Sequence, residues 1–256
     1  MSKRQKFVLA SLTLVGLMVT PQFLAGFWKY LSIFLISLLV VPIYLWALRE
    51  AIVVREAVLL SVLPVLFTFS VGLFWFLLPT NLVIAVALYL FYGVGMYILF
   101  LVCNIYAVSL VRTIPLARSA RSVGFIYSLF TVFLFANFIS ASGMNVFLAS
   151  LTVAFFAFVI YTLNNWVAVM DVSHYQIILK YALYSALVVF EVSTILYFWP
   201  LTTTVYSLAI ATLSYIIIGL GQMAMERRLF PQTISEYIRI TLLIFLGVVF
   251  SARWRG

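Results

Sequence analysis

Apolar residues dominate this chain in long runs that short polar connections separate. Nine runs come close to the roughly 20 apolar residues that a helix needs to cross a bilayer. No connection is long enough to hold a soluble domain. We therefore predict an all-α fold, a polytopic transmembrane helix bundle that forms a single integral membrane domain over residues 1–256. The candidate spans are Phe7–Gly26, Lys29–Leu48, Ala57–Leu78, Leu82–Val111, Val123–Ala141, Val146–Met170, Leu179–Trp199, Val205–Met225 and Ile234–Ala252.

The first and last candidates each leave an alternative open. Three basic residues precede the first, as in a signal peptide, and cleavage there would leave eight helices. The last crosses the bilayer if Arg239 and Arg253 extend to opposite interfaces, and otherwise lies in the cytoplasmic interface. We predict that the last helix begins near Ile234, because Pro231 ends the preceding loop and Thr233-x-x-Glu236 matches a capping box.

The amino-acid composition indicates that lipid surrounds most of this chain. Hydrophobic residues make up 66% of the chain and charged residues 8%, whereas soluble domains carry about 25% charged residues. The net charge of +9 does not indicate nucleic acid, because the basic residues are spread over several short loops and form no recognisable binding motif. We expect the chain to contact the lipid bilayer. Some of the functions considered below also require another membrane protein or a second copy of this chain.

The distribution of lysine and arginine predicts a cytoplasmic N terminus, in a protein of the plasma (cytoplasmic) membrane. With that orientation, twelve basic residues are cytoplasmic and three are outside. The cytoplasmic set is Lys3, Arg4, Lys6, Arg49, Arg55, Arg112, Arg118, Arg121, Lys180, Arg227, Arg228 and Arg239, and the outer set is Lys29, Arg253 and Arg255. Within the first set, we expect Arg112, Arg118, Arg121, Arg227 and Arg228 to contact anionic lipid headgroups, at about 1 kcal/mol per charge.

Glu191 is the main candidate for chemistry, because it lies near the middle of the apolar run Tyr181–Trp199. A charge at the centre of a bilayer costs about 3 kcal/mol on insertion scales, so such residues are functional candidates. Helical spacing places Tyr184 and Thr194 on the same face, and we expect this stripe to turn away from lipid. Tyr215 and Arg239 are the candidate partners on later helices. The alternatives are a proton or cation site and a structural carboxyl that hydrogen-bonds a neighbouring helix.

Asparagines suggest a second polar feature. Asn164 and Asn165 lie in the cytoplasmic third of the sixth candidate span, and Asn104 lies at similar depth in the fourth. Asn137 lies near the outer end of the fifth. Amides in hydrocarbon seek partners on facing helices. We expect either that these amides form hydrogen bonds between helices or that Asn104, Asn164 and Asn165 line a polar pathway.

Several other residues have simpler interpretations. Pro42 and Pro64 should kink their helices, because a buried proline leaves one carbonyl without its helical donor. The pairs Gly93-x-Gly95 and Gly219-x-Gly221 indicate close helix packing, and Cys103 is expected to be a small buried side chain. A metal needs three or four ligands, which Asp171 and His174 do not supply, so we predict no metal and no cofactor.

The two halves of the chain carry a faint similarity. Residues 69–81 and 190–202 both end a span with aromatic residues and a proline, at an offset of 121 residues. A parallel repeat would comprise residues 7–111 and 123–225, with a final helix at 234–252, an arrangement found in some transporters.

Three classes of function remain open. The first is a transporter of small solutes or lipid-related molecules with a buried carboxyl at Glu191. The second is a non-catalytic membrane subunit or scaffold that binds another membrane protein. The third is a membrane enzyme that acts at the cytoplasmic rim through Asp171, His174 and nearby arginines. Enzymatic activity is the least favoured, because most enzymes need at least two convergent polar groups.

Overall fold

A computed structural model describes residues 3–48, 54–79, 81–110, 115–170 and 175–252, and of residues 54 and 55 it describes the backbone alone. All regular structure in these ranges is helical, which confirms the predicted all-α class. Nine of the described helices are long and apolar enough to cross a membrane. They are α1 Lys3–Met18 with a short 3₁₀ turn Thr20–Phe23, α2 Phe27–Leu48, α3 Val54–Trp75, α4 Leu82–Ser109, α5 Leu116–Ala141, α6 Val146–Val169, α7 Tyr175–Tyr197, α8 Thr203–Met225 and α9 Pro231–Ser251.

Local sequence explains where several helices begin. The side chains of Asn81, Asn145 and Thr202 cap α4, α6 and α8 by accepting backbone N–H groups of the first turn. The predicted capping box of the last helix is wrong, because α9 begins at Pro231 and has no side-chain cap. Proline suits the first helical position, where its missing N–H leaves no hydrogen bond unmade.

The start of α5 also differs from the sequence prediction. Charged residues interrupt the apolar run before Val123, a pattern that predicts a loop. The helix instead begins at Leu116, so Arg118 and Arg121 lie in its first turns. The helix therefore extends past the apolar run and carries both arginines at its N-terminal end.

The chain divides into two compact units, Met1–Tyr127 and Ser128–Gly256. In the first unit, α1 to α4 form a closed ring in which each helix packs on two others. Large side chains fill the centre of the ring, and Phe67 stacks on Tyr92 with the edge of Tyr127 against its face. Gly95 lies beneath Phe67, where a Cβ atom would come within 3.0 Å of the ring.

Pro64 leaves one backbone carbonyl of α3 without its helical donor, as the sequence predicts. That carbonyl belongs to Leu60, four residues earlier. The Cys103 thiol of α4 donates to it, with Sγ 3.3 Å from the oxygen. One turn further along, the Thr68 hydroxyl hydrogen-bonds the Pro64 carbonyl and pairs with the Tyr92 hydroxyl at 3.0 Å. Side chains from α3 and α4 therefore hydrogen-bond the backbone carbonyls of Leu60 and Pro64.

In the second unit, α6, α7 and α8 pack on one another and α9 packs along α8. Tyr237 of α9 lies against Gly219 and Tyr215 of α8, and Phe245 approaches Trp199, with ring centroids 5.9 Å apart. Only 6% of the residues in the most apolar stretch of α9 are buried by the rest of the chain. This helix therefore runs lengthwise beside α8 and leaves most of its surface uncovered.

The boundary between the units falls inside α5 and not in the connection at residues 112–122 that would separate the proposed repeats. The repeat stays a prediction, as does the description of the chain as a single membrane domain.

Candidate functional site

Glu191 lies on the outward face of α7 and is exposed. Within the described residues it has no hydrogen-bond or ion-pair partner. The prediction that this carboxyl is buried, with its polar stripe turned into the bundle, is therefore wrong for the described structure. Tyr184, on the same face, is 65% exposed, and the large apolar side chains of Leu187, Val188 and Phe198 surround the stripe.

The opposite face of α7 is buried, and the residues on that face explain why Glu191 points outward. Its members are Ile178, Ala182, Ala186, Val189, Ser193 and Leu196. In a membrane, lipid tails are as apolar as leucine, so helices associate where small side chains let the backbones approach. The alanine and serine face therefore packs on α6, where the Ser193 hydroxyl lies 3.2 Å from that of Ser150.

The remaining residues of the predicted site do not converge on Glu191. Thr194 donates to the Phe190 carbonyl one turn earlier in its own helix. Tyr215 packs on Tyr237, with ring centroids 5.6 Å apart. Arg239 is exposed, and its Nε donates to the Ser235 carbonyl of α9 at 3.3 Å. The structure thus brings none of Tyr184, Thr194, Tyr215 and Arg239 into hydrogen-bond contact with the carboxyl.

A different set of polar residues lies between the helices of the second unit. We call this set the polar seam; it comprises Ser128, Asn137, Ser150, Tyr161, Asn164, Asn165, Ser193, Tyr206, Ser207, Ser214 and Gln222. All but Gln222 are buried. The sequence predicted three members, Asn137, Asn164 and Asn165, and missed a role for most of the others.

The polar seam has three layers. At the end where α6 begins, the Asn137 amide donates to Ser207 at 3.0 Å, and Ser193 pairs with Tyr206 at 2.6 Å. In the middle, the hydroxyls of Tyr161 and Ser214 lie 2.7 Å apart. Every one of these bonds joins two helices, which is the arrangement expected of polar side chains in hydrocarbon.

Asn164 is the centre of the third layer. Its amide nitrogen donates to the Ser128 hydroxyl and to the Ile160 carbonyl, both at 2.9 Å. Gln222 reaches its amide oxygen at 3.5 Å, and the Asn165 oxygen lies 2.7 Å from where a Cβ atom on Gly221 would be. Asn164 therefore links α5, α6 and α8. Asn104 is half-buried in the first unit, and the predicted pathway through all three asparagines stays a prediction.

One sequence signal could have revealed the seam. Ser207, Ser214 and Gly221 recur every seven residues along α8, a spacing that keeps them on one face of a packed helix. Small residues at that spacing admit partner side chains from α5 and α6. The interpretation of Gly219-x-Gly221 as a close-packing element is confirmed, since Tyr237 and Asn165 occupy the space beside the two glycines.

The predicted headgroup residues lie at helix ends. Arg118 and Arg121 are in the first turns of α5, and Arg228 pairs with Glu226 at 3.6 Å just beyond α8. Arg227 adopts a left-handed backbone conformation at that end, and Arg112 falls outside the described residues. Contact with anionic lipid stays a prediction.

The described side chains include no group of three histidine, cysteine or acidic residues able to hold a metal. Asp171 and His174, the residues of the enzymatic alternative, lie outside the described ranges.

Comparisons with curated proteins and with solved structures found no match. A family model does match, and it spans residues 6–251, from the first turn of α1 to the end of α9. The chain belongs to the family described as "Protein of unknown function (DUF5656)".

Proposed function

We propose that this chain is a multi-pass integral membrane protein that acts as a non-catalytic membrane subunit or scaffold. In this proposal its second unit binds another membrane protein through the outward faces of α7 and α9. The observation that carries it is the position of Glu191. An acid in the middle of an apolar run faces outward and has no partner among the described residues.

Energetics favour a protein partner over lipid at this face. A charged side chain at the bilayer centre costs about 3 kcal/mol on insertion scales, and residues of this kind almost always face protein or a water-filled cavity. The outward face of α7 meets neither within the described chain. A helix from another molecule would supply the missing environment.

The same proposal places all nine helices across the plasma membrane with the N terminus in the cytoplasm. Support comes from the twelve-to-three distribution of lysine and arginine and from the length and apolar character of each helix. The lengthwise packing of α9 on α8 favours a crossing over an interfacial position for the last helix.

Labelling from either side of the membrane tests this disposition. In a Cys103→Ser background, Ser119→Cys near the start of α5 should react with a membrane-impermeant maleimide only from the cytoplasmic side. Ser142→Cys, just after the end of the same helix, should react only from outside. Both positions are exposed. Reaction of both from one side would contradict a transmembrane α5.

Photo-crosslinking in native membranes tests the binding role. A photoreactive phenylalanine analogue at Leu187, beside Glu191 on the α7 face, should crosslink to a protein. The matched control is the same analogue at Phe155 of α6, which is 68% exposed and should capture lipid. Capture of lipid alone from both positions would overturn the proposal.

Proton-linked transport is the second candidate, and the polar seam is the observation that favours it. Its hydrogen-bonding groups form layers through the second unit. The layers are about 10 Å apart, because Ser207, Ser214 and Gly221 are seven residues apart on α8 and a helix rises 1.5 Å per residue. Conduction between layers would need water or a rearrangement of side chains. Proton flux in reconstituted liposomes that is lost on Tyr161→Phe would support transport, and the absence of flux in the wild type would exclude this mechanism.

A further inference from the structure

Two opposite charges lie uncovered on the membrane-embedded helices of the second unit. Glu191 on α7 and Arg239 on α9 are both exposed. Neither has an ion pair within the described residues, where the Arg239 guanidinium donates to a carbonyl of its own helix. The described part of one chain therefore offers an anion and a cation that it does not pair with each other or with another charged group.

The two charges lie at compatible depths. Trp199, two residues past the end of α7, contacts Phe245, six residues before the end of α9, so the two rings lie at a similar depth. Glu191 is eight residues before Trp199, and Arg239 is six before Phe245. The two charges therefore differ in depth by about 3 Å at 1.5 Å per residue. A flexible arginine side chain spans a gap of that size.

We propose that the partner is a second copy of this chain, with Glu191 of each copy paired to Arg239 of the other. This inference rests on the proposed function. A two-fold axis along the membrane normal keeps both copies in the same orientation and repeats each contact. The dimer then satisfies two carboxylates and two guanidinium groups with no further molecule. A different partner would have to present both a cation and an anion at matching depths.

The apolar residues around the charges suit a helix interface. Leu187, Val188 and Phe198 flank Glu191, and Leu243 and Leu246 follow Arg239 along the exposed side of α9. These side chains supply packing contacts, while the ion pairs set the register of the two copies.

Charge exchange tests the proposal. Donor-labelled and acceptor-labelled full-length chains are reconstituted in vesicles at several protein-to-lipid ratios, and dimerisation is followed by energy transfer. The wild type should dimerise, and Glu191→Gln or Arg239→Gln should weaken dimerisation about tenfold or more, since each removes both ion pairs. Glu191→Arg and Arg239→Glu should each be monomeric, whereas a mixture of the two should dimerise again because both pairs are restored.

If a charge-reversed variant does not fold, circular dichroism will show the loss of helix. The neutral variants Glu191→Gln and Arg239→Gln then still test the proposal. The matched control is Glu236→Gln, which removes an exposed acid from α9, the helix of Arg239, and should leave dimerisation unchanged. A monomeric wild type, or a dimer insensitive to Glu191 and Arg239, overturns the proposal. Crosslinking from Leu187 to a different protein would also overturn it while leaving the scaffold function supported, and capture of lipid alone would overturn both.

Discussion

Replacement of Gly219 by valine is expected to lower the free energy of unfolding by about 1–3 kcal/mol, the usual effect of forcing volume into a packed contact. A Cβ atom at this position would overlap the Tyr237 hydroxyl and lie 2.8 Å from the Cζ atom of the same ring. The ring cannot simply retreat, because it also packs on Tyr215. Val248 is the one buried residue of α9, so little else holds this helix in place and we expect it to separate from α8. Unfolding in mixed micelles and protease sensitivity of α9 measure the two effects.

Gly247→Val is the matched control. It makes the same change on α9, where nothing lies within 4 Å of the position that a Cβ atom would take, and should alter stability by less than about 0.5 kcal/mol. Combining Gly219→Val with Tyr237→Ala should destabilise the protein by less than the sum of the two single changes, because the second change removes the obstructing ring. Equal effects of valine at 219 and 247 would show that the contact with Tyr237 does not hold α9 in place.

The helical architecture was predictable because lipid leaves the backbone few choices. A chain that crosses hydrocarbon must satisfy its own N–H and C=O groups, and long apolar runs therefore become helices. Helix ends were less predictable. Arg118 and Arg121 interrupt the apolar run but not the helix, since a helix can extend past the bilayer and carry basic residues on its projecting turns. Pro231 begins α9, although a capping box pointed to a later start.

The orientation of α7 was not predictable from periodicity. Its Glu191 stripe and its alanine and serine stripe repeat with the same helical spacing, so either could face the bundle. Residue size decides between them, because small side chains allow the closest contact between helices in lipid. A search for small residues at that spacing would have placed Ala182, Ala186 and Ser193 inside and the carboxylate outside.

The polar seam shows a further limit of sequence interpretation. Serines such as Ser193 and Ser207 look ordinary in a chain so rich in apolar residues, and their partners lie 13 to 70 positions away in sequence. Only the packing of α5 to α8 reveals that Asn137, Tyr161 and Asn164 each meet a hydroxyl on a neighbouring helix. The same is true of Cys103, whose apolar surroundings concealed the carbonyl that it binds.

Replacing Cys103 by alanine is expected to destabilise the first unit by about 1–3 kcal/mol, the cost of leaving a buried polar group without its partner. The Leu60 carbonyl receives no helical hydrogen bond because Pro64 has no N–H, and the thiol is the donor that the structure provides. Cys103→Ser keeps a donor of similar size and should retain most of the stability. Unfolding in mixed micelles, followed by circular dichroism, measures all three proteins.

A double-mutant cycle with Pro64→Ala separates hydrogen bonding from packing. Alanine at position 64 restores the backbone N–H that can bond the Leu60 carbonyl, so the carbonyl no longer depends on the thiol. Cys103→Ala should then be less destabilising in the Pro64→Ala background, with a coupling energy of about 0.5–3 kcal/mol. If Cys103→Ala lowers stability equally in both backgrounds, the thiol contributes only volume, and the contacts of Thr68 and Tyr92 stabilise α3 around Pro64 instead.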